Sequence, residues 1–233
     1  MARKSIFILI TALLALSVAA VATAVVRNGT EGPDRIAGTA DADTIAGLGG
    51  DDNLAGLGGA DTIDGGTDDD TIIGDNACPP GSNAAPYYCI PAGADGPDGL
   101  LGGLGQDVIS GGGGADRING QEGDDRLRGN SGNDRIQGGD GLDVVSGGTG
   151  ADIISGGVGD DRLEGDSGND RISGGSGRDI IEGAAGNDRI LARNSDRDRI
   201  TCGPGKDRVQ ADRRDKISRR GRERCEIITF PRR

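Results

Sequence analysis

The chain has 233 residues, of which 46 are glycine, only 2% are aromatic and none is histidine or tryptophan. Because the chain has so few large apolar side chains, it cannot build an ordinary hydrophobic core. It must therefore be repetitive, cross-linked or disordered. The absence of histidine excludes the commonest general base and every Ser-His or Cys-His nucleophile pair. We therefore expect a protein that is not an enzyme, with no catalytic residue.

The N-terminus predicts export. Two basic residues precede an apolar run from Ile6 to about Ala20, and the sequence ATA at 22–24 matches a signal-peptidase site. We interpret residues 1–24 as a secretory signal peptide; the alternative is a retained membrane anchor, because about 20 apolar residues can span a bilayer. No later stretch is apolar enough for a stable membrane span. We expect the mature protein to be secreted, in an oxidising and calcium-rich extracellular environment.

A nine-residue unit repeats through most of the remaining chain. Five consecutive units begin at Gly29, and after an interruption at residues 74–92 eleven more run from Gly93 to Leu191. All sixteen have an aspartate at the sixth position and follow the form G-x-x-G-x-D-x-U-x, where U is Ile, Leu or Val. Glycine at the first and fourth positions predicts positive φ in a tight turn, and the two units without the fourth glycine have Asp41 or Asp68, a residue type that tolerates this region.

The other positions of the unit predict a solenoid with cations between its layers. One inward aliphatic side chain per unit cannot bury itself alone, so the units must stack around a thin core. The sixth-position aspartate then recurs at a spacing of roughly 4.8 Å, where carboxylates repel one another unless a cation lies between them. Calcium suits this arrangement better than magnesium, because its oxygen ligands can include irregularly placed carbonyls. An aspartate that served only as a turn former could be replaced by Asn or Ser, and at this position it never is.

The unit resembles the GGxGxDxUx repeat of the RTX, or haemolysin-type, calcium-binding family over about 70% of the chain. The resemblance implies an all-β fold, a right-handed parallel β-roll in which two units make one coil and calcium ions lie between the turns of repeats n and n+2. In the best-matching block, 102–191, it pairs Asp107 with Asp125 and Asp116 with Asp134. It does not carry over haemolytic or proteolytic activity, because the chain has no toxin, protease or lipase segment beside the repeats. The implied metal ligands are Asp34, Asp43, Asp52, Asp61, Asp70, Asp98, Asp107, Asp116, Asp125, Asp134, Asp143, Asp152, Asp161, Asp170, Asp179 and Asp188.

Two irregular segments interrupt or follow the array of residues 29–191. Residues 74–92 predict a disulfide-closed loop that bulges from one coil, either as a tolerated insertion or as a binding face. Residues 192–233 predict a basic C-terminal capping segment. The local cysteine pairs are Cys78 with Cys89 and Cys202 with Cys225, although three connectivities are possible and free buried thiols are the alternative.

Charge is segregated between the array and the segment that follows it. The array contains 31 acidic and 9 basic residues, whereas residues 192–233 contain 7 acidic and 14 basic residues. Calcium could neutralise the array. The basic segment is either a solvated cap or a contact for an anionic cell-surface or wall polymer, and we expect no nucleic-acid partner.

Arginine recurs at the seventh position of alternate units in the second block. We predict that these seventh-position residues lie on one sheet face, as an anion-binding stripe or as counter-charges of nearby carboxylates. They are Arg117, Arg135, Ile153, Arg171 and Arg189. The sequence thus favours an extracellular calcium-binding β-roll that folds with calcium and has a structural or surface-associated role. The alternative is an adhesin-like or glycan-binding module that uses the 74–92 loop or the arginines.

Overall fold

The computed structural model describes residues 24–75, 95–218, 225 and 227–229, and this part of the chain contains strands and turns but no helix. It therefore contains no helix able to cross a membrane. The predicted signal peptide, up to its last residue, lies outside the described residues, as do Cys78 and Cys89, so their roles stay predictions.

Twenty-one short strands alternate between two parallel sheets, with odd-numbered strands in an 11-stranded sheet and even-numbered strands in a 10-stranded sheet. The odd-numbered strands are β1 (Val26–Asn28), β3 (Thr44–Gly49), β5 (Thr62–Thr67), β7 (Gly99–Leu104), β9 (Arg117–Glu122), β11 (Arg135–Asp140), β13 (Ile153–Val158), β15 (Arg171–Ser176), β17 (Arg189–Ala192), β19 (Arg208–Ala211) and β21 (Ile227–Thr229). The even-numbered strands are β2 (Arg35–Ala37), β4 (Asn53–Leu57), β6 (Thr71–Asp75), β8 (Val108–Gly113), β10 (Arg126–Ser131), β12 (Val144–Thr149), β14 (Arg162–Ser167), β16 (Ile180–Glu182), β18 (Arg199–Thr201) and β20 (Lys216–Ile217).

The register of the sheets shows that one coil contains two nine-residue units. Leu127 of β10 pairs with Val145 of β12, 18 residues further on, and Ile136 of β11 pairs in the same way with Ile154 of β13. The chain therefore visits each sheet once per coil and forms a solenoid of about ten turns. This confirms the predicted parallel β-roll.

The core is a stack of the eighth-position aliphatic side chains. From Ile45 to Ile190 none of these side chains is more than 2% exposed, while the residues on either side of them are exposed or half-buried in most units. Burial of one such side chain contributes roughly 1.5–3 kcal/mol, which a single unit cannot obtain without neighbours above and below. The predicted thin aliphatic core is confirmed.

Positive φ occurs at the second and fourth positions of the units, not at the first and fourth. Gly103 (φ 121°) and Gly105 (φ 131°) show the regular pattern, and Gln121 at a second position adopts φ 82° although it has a side chain. Asp68 at a fourth position has φ 78°, as predicted, but Asp41 does not have a positive φ. The prediction for the first position was wrong, because the turn tightens one residue later than the glycine pattern indicated.

The first-position glycine is required by close packing instead. A Cβ on Gly102 would overlap with Asp107 Oδ2 and would lie 2.6 Å from the carbonyl oxygen of Gly120 on the next coil. The same relation recurs along the array. The missing side chain therefore makes room for the sixth-position carboxylate of its own unit.

The predicted 74–92 interruption leaves the roll continuous. Strand β5 pairs with β7 and β6 with β8, across the residues that lie outside the described ranges. Gly74 contacts Asp98 in the way that a first-position glycine does, and Asp75 pairs with Leu57, a second-position residue. The coil that resumes after the interruption thus takes its first two positions from Gly74 and Asp75.

The roll continues beyond Leu191. Strands β18, β19, β20 and β21 extend both sheets into the basic segment. Cys202 and Cys225 are buried and disulfide-bonded, with 5.3 Å between their Cα atoms, which confirms the local pairing predicted for these two residues.

Candidate metal centre

The sixth-position aspartates form two columns, each running along one line of turns. Each aspartate directly precedes a strand, so alternate units place their carboxylates on opposite sides of the roll. The first aspartate column contains Asp43, Asp61, Asp98, Asp116, Asp134, Asp152, Asp170 and Asp188. The second aspartate column contains Asp34, Asp52, Asp70, Asp107, Asp125, Asp143, Asp161 and Asp179.

Each carboxylate joins two successive coils through a hydrogen bond. The backbone N–H of Asp107 donates to Asp125 Oδ1 at 2.9 Å, and that of Asp116 donates to Asp134 Oδ1 at 2.8 Å. The same bond spans the interruption, where the N–H of Asp61 donates to Asp98 Oδ1 at 2.7 Å. The structure therefore places the aspartates that the sequence paired on adjacent coils, one directly above the other.

The second carboxylate oxygen, Oδ2, of most column aspartates is buried without a hydrogen-bond partner among the described residues. A buried polar atom without a partner costs roughly 1–3 kcal/mol, and more when it is charged, so a long series of them requires an explanation. An ion between the coils would supply the missing partner. The aspartates with such an Oδ2 atom are Asp52, Asp61, Asp70, Asp98, Asp107, Asp116, Asp125, Asp134, Asp143, Asp152, Asp161, Asp170, Asp179, Asp188 and Asp198.

The two N-terminal members of the columns differ from the others. Asp34 Oδ2 accepts a hydrogen bond from the backbone N–H of Thr30, and Asp43 Oδ2 accepts one from that of Thr39. Both threonines are second-position residues without positive φ, so their N–H groups face the carboxylate. These two aspartates are satisfied locally, in the manner of turn formers, although they lie at the predicted positions.

Burial raises the pKa of the column aspartates from Asp52 to Asp188, and neighbouring carboxylates raise it further. The pKa of Asp143 rises to about 6, that of Asp116 to about 7 and that of Asp98 to about 8, although backbone N–H donors from the preceding coil oppose the rise. At neutral pH the ionised columns therefore disfavour the metal-free roll. Protons or cations must neutralise them.

The turns offer only oxygen donors of the kind that calcium prefers. Along most of the array, the place of a Cβ on a first-position glycine is bounded by the Oδ2 atom of its own unit and by the carbonyl oxygen of the next coil's first-position glycine, as Gly102 is by Asp107 and Gly120. The fourth-position carbonyls are also directed at the turn of the next coil, where Gly105 O occupies the place of a Cβ on Gly123. Carboxylates and irregularly placed carbonyls fit the 6–8 oxygen ligands of calcium better than the octahedral geometry of magnesium.

Sequence reasoning missed three buried carboxylates. Asp198 continues the second column and Asp207 the first, each with Oδ1 accepting from the preceding coil at 2.9 Å. Their signal was the Asp-Arg-Ile pattern at 198–200 and the Asp-Arg-Val pattern at 207–209, which lie 19 rather than 18 residues after the preceding aspartate of their column. Asp75 had no signal, because the nine-residue register assigned it to the interruption.

The predicted arginine stripe is aligned on the exposed face of the 11-stranded sheet. Arg117 pairs with Arg135 across β9 and β11, and Arg171 pairs with Arg189, which in turn pairs with Arg208 of β19. In the part of the chain that the structure describes, the single ion pair is between Arg178 and Asp160, outside this stripe. The predicted counter-charge role is therefore not seen as direct ion pairs.

Parallel coils with buried aspartates at every turn define a metal-binding β-roll. The family model of the RTX calcium-binding nonapeptide repeat (4 copies) matches residues 28–63, 47–76, 93–127, 120–154, 128–163 and 155–190. These matches cover more than half of the chain, and the chain belongs to this family, whose repeats bind calcium through a β-roll. A search of curated proteins found no match to the chain.

Proposed function

We propose that this protein is a non-enzymatic, extracellular calcium-binding β-roll whose folding is coupled to calcium and which has a structural or surface-associated role. The observation that carries the proposal is the pair of aspartate columns whose buried Oδ2 atoms lack partners coil after coil. Each interior site would use aspartates from adjacent coils of one column, such as Asp107 with Asp125, together with turn carbonyls. The carboxylate ligands would come from the sixteen aspartates of the repeat, most of which have a buried Oδ2 atom without a partner among the described residues.

Coupling to folding follows from the balance between the core and the charges. The array has 31 acidic and 9 basic residues, and its core consists of one aliphatic side chain per unit. Repulsion between successive carboxylates within each column opposes folding until ions bind, and binding free energy then becomes folding free energy.

An extracellular setting agrees with two features. The apolar N-terminal segment has the pattern of an export signal, and the Cys202–Cys225 disulfide is typical of an oxidising compartment. Calcium is also abundant outside cells, where weak sites fill.

The test follows far-UV circular dichroism of the chain without residues 1–24 while calcium is added to protein in EDTA at neutral pH. We expect a largely unfolded spectrum in EDTA and a cooperative gain of β signal with calcium. Calorimetry under the same conditions should show several bound ions per chain. A native-like β spectrum in EDTA that calcium does not change would refute the coupling.

A second function, binding of an anionic polymer, is favoured by the arginine stripe. Arg171, Arg189 and Arg208 lie on successive strands of one face and form no ion pair with the residues that the structure describes. Like charges this close are unfavourable unless an anion lies beside them. We expect the calcium-loaded protein to bind a sulfated polysaccharide such as heparin in low salt. Replacing Arg171 and Arg189 by Gln should weaken binding, whereas Arg178→Gln, which removes an arginine paired with Asp160, should not. Equal binding by both variants would exclude the stripe as the site.

A further inference from the structure

Three buried carboxylates lie close together in the coils on either side of residues 76–94. One carboxylate oxygen from each of Asp61, Asp75 and Asp98 lies within 4.8 Å of the other two. Their exposed fractions are 2%, 4% and 3%. A regular step of either column brings together two aspartates, so Asp75 is an additional acid.

Asp75 is buried because its backbone departs from the repeat. In the described units from Gly47 to Gly183, all second-position residues except Asp75 have positive φ. Among second-position residues that have a side chain, those other than Asp75 are exposed or half-buried. Asp75 therefore combines an ordinary φ with a buried carboxylate, unlike the other second-position residues that have a side chain.

Each of the three carboxylates has one oxygen without a hydrogen-bond partner among the described residues. Asp75 Oδ2 accepts a hydrogen bond from the N–H of Gly96 at 2.7 Å, but Asp75 Oδ1 has no partner. Asp61 Oδ2 and Asp98 Oδ2 are likewise buried without a partner. The single ion pair of the described residues lies elsewhere, so no basic side chain is paired with this cluster. Three acids of like charge in a buried place need a cation as their common partner.

Titration behaviour agrees with this arrangement. Burial raises the pKa of Asp98 to about 8, and Asp75 is the first of the neighbouring carboxylates that add to the rise. Burial also raises the pKa of Asp75 to about 7. The charges of Asp75 and Asp98 therefore repel each other inside the roll.

We propose that Asp61, Asp75 and Asp98 form a three-carboxylate cation site, distinct from the regular steps, that binds calcium more tightly than they do and prefers trivalent lanthanides to calcium. The inference rests on the proposed function, because it assumes that the surrounding coils are calcium-loaded. Asp75 is the last described residue before the 76–94 segment, and Asp98 follows close behind its end. A bound ion would therefore tie together the two points where this segment joins the roll.

The test compares the parent chain without residues 1–24 with Asp75→Asn and with Asp166→Asn. Asn keeps the size of Asp75 and the oxygen that accepts from Gly96, but removes the third charge. Asp166 is the matched control, because it is also a second-position aspartate, but it is half-buried, has φ 67° and accepts a hydrogen bond from Ser146.

Calorimetry of the calcium-loaded roll should resolve a first equivalent of terbium that displaces calcium at least about tenfold more tightly than the following equivalents in the parent and in Asp166→Asn, but not in Asp75→Asn. Terbium should resist displacement by excess calcium from one site in the first two proteins, and this site should be lost in Asp75→Asn. If Asp75→Asn retains the tight first equivalent, the site does not exist, while the proposed function stands. If the parent itself binds no calcium, the proposed function fails with it.

A spectroscopic measurement on the parent keeps the inference testable even if Asp75→Asn does not fold. The energy of the lowest excitation band of bound europium decreases as the total negative charge of its ligands increases. One equivalent of europium should give a band at lower energy than the ions added later. A first band that coincides with those of the later ions would overturn the three-carboxylate site.

Discussion

Asp143 lies in the interior of the second aspartate column, with Asp125 and Asp161 on the adjacent coils. Its Oδ1 accepts from the N–H of Asp125 at 3.0 Å, and its own N–H donates to Asp161 Oδ1 at 3.0 Å. Its Oδ2 is buried without a partner. Asp143→Asn keeps the volume and one acceptor oxygen but removes the charge, so we expect opposite effects on stability without and with calcium.

The metal-free effect follows from the pKa of this group. Burial raises the pKa of Asp143 from 3.8 to about 6, so its contribution to folding is most favourable below about pH 4 and is lost as the pH rises through about 6. A rise of about two units corresponds to about 3 kcal/mol of destabilisation once the group is ionised in both states. At neutral pH Asp143→Asn should therefore stabilise the metal-free roll by about 2–3 kcal/mol.

With calcium the sign should reverse. Asp143 would contribute to two sites, one on each side of its coil, so the variant weakens both and interrupts propagation between the halves of the roll. The calcium concentration at the folding midpoint should rise at least about tenfold, and the transition should become less steep. Asp34→Asn is the control, because Asp34 lies at the end of the column and its Oδ2 already accepts from Thr30.

The assay is far-UV circular dichroism in two titrations, one with trimethylamine N-oxide in EDTA and one with calcium. The expected result is a lower osmolyte midpoint and a higher calcium midpoint for Asp143→Asn than for the parent. If the variant is less stable than the parent in EDTA, the carboxylate is a structural hydrogen-bonding group and the charge argument is wrong. If Asp34→Asn raises the calcium midpoint as much as Asp143→Asn does, the sites are not shared between coils.

Three further predictions test the turns and their ligands. Gly120→Ala should destabilise the calcium-loaded roll by about 2 kcal/mol or more, because the new Cβ would overlap with Asp125 Oδ2. The control is Gly99→Ala, which should change thermal stability little because its Cβ would have its nearest neighbour at 3.8 Å. Similar losses of stability in both variants would contradict the packing argument. Calcium should bind far more tightly than magnesium in competition calorimetry, and equal affinities would count against carbonyl-rich sites. In EDTA the β signal should increase as the pH falls from about 8 to about 4, because the pKa values of the buried aspartates are raised, that of Asp98 to about 8. Protons then neutralise the carboxylates in place of calcium. An unchanged spectrum over this pH range would contradict the buried columns.

Local chemistry and period were enough to predict the roll and most of its ligands. A nine-residue period with one aliphatic side chain per unit permits burial only by stacking, and the buried column from Ile45 to Ile190 follows from that. The sixth-position aspartate was recognisable because an invariant acid in a regular stack needs a counter-charge. These features depend on what each unit contains and on how often it recurs, both of which the sequence displays directly.

Contacts between coils decided the rest. Gln121 adopts positive φ and Gly102 does not, because the path of the turn is set by stacking on the next coil rather than by which residue is glycine. Asp34 appears equivalent to Asp143 in the repeat, yet the turn at Thr30 leaves its carboxylate satisfied. Asp75 belongs to the segment that the sequence pattern assigned to the interruption, and only the pairing of β5 with β7 and of β6 with β8 brings it to Asp61 and Asp98. A linear pattern records the residues of one unit, whereas these properties arise between units that are distant in the chain and adjacent in the roll.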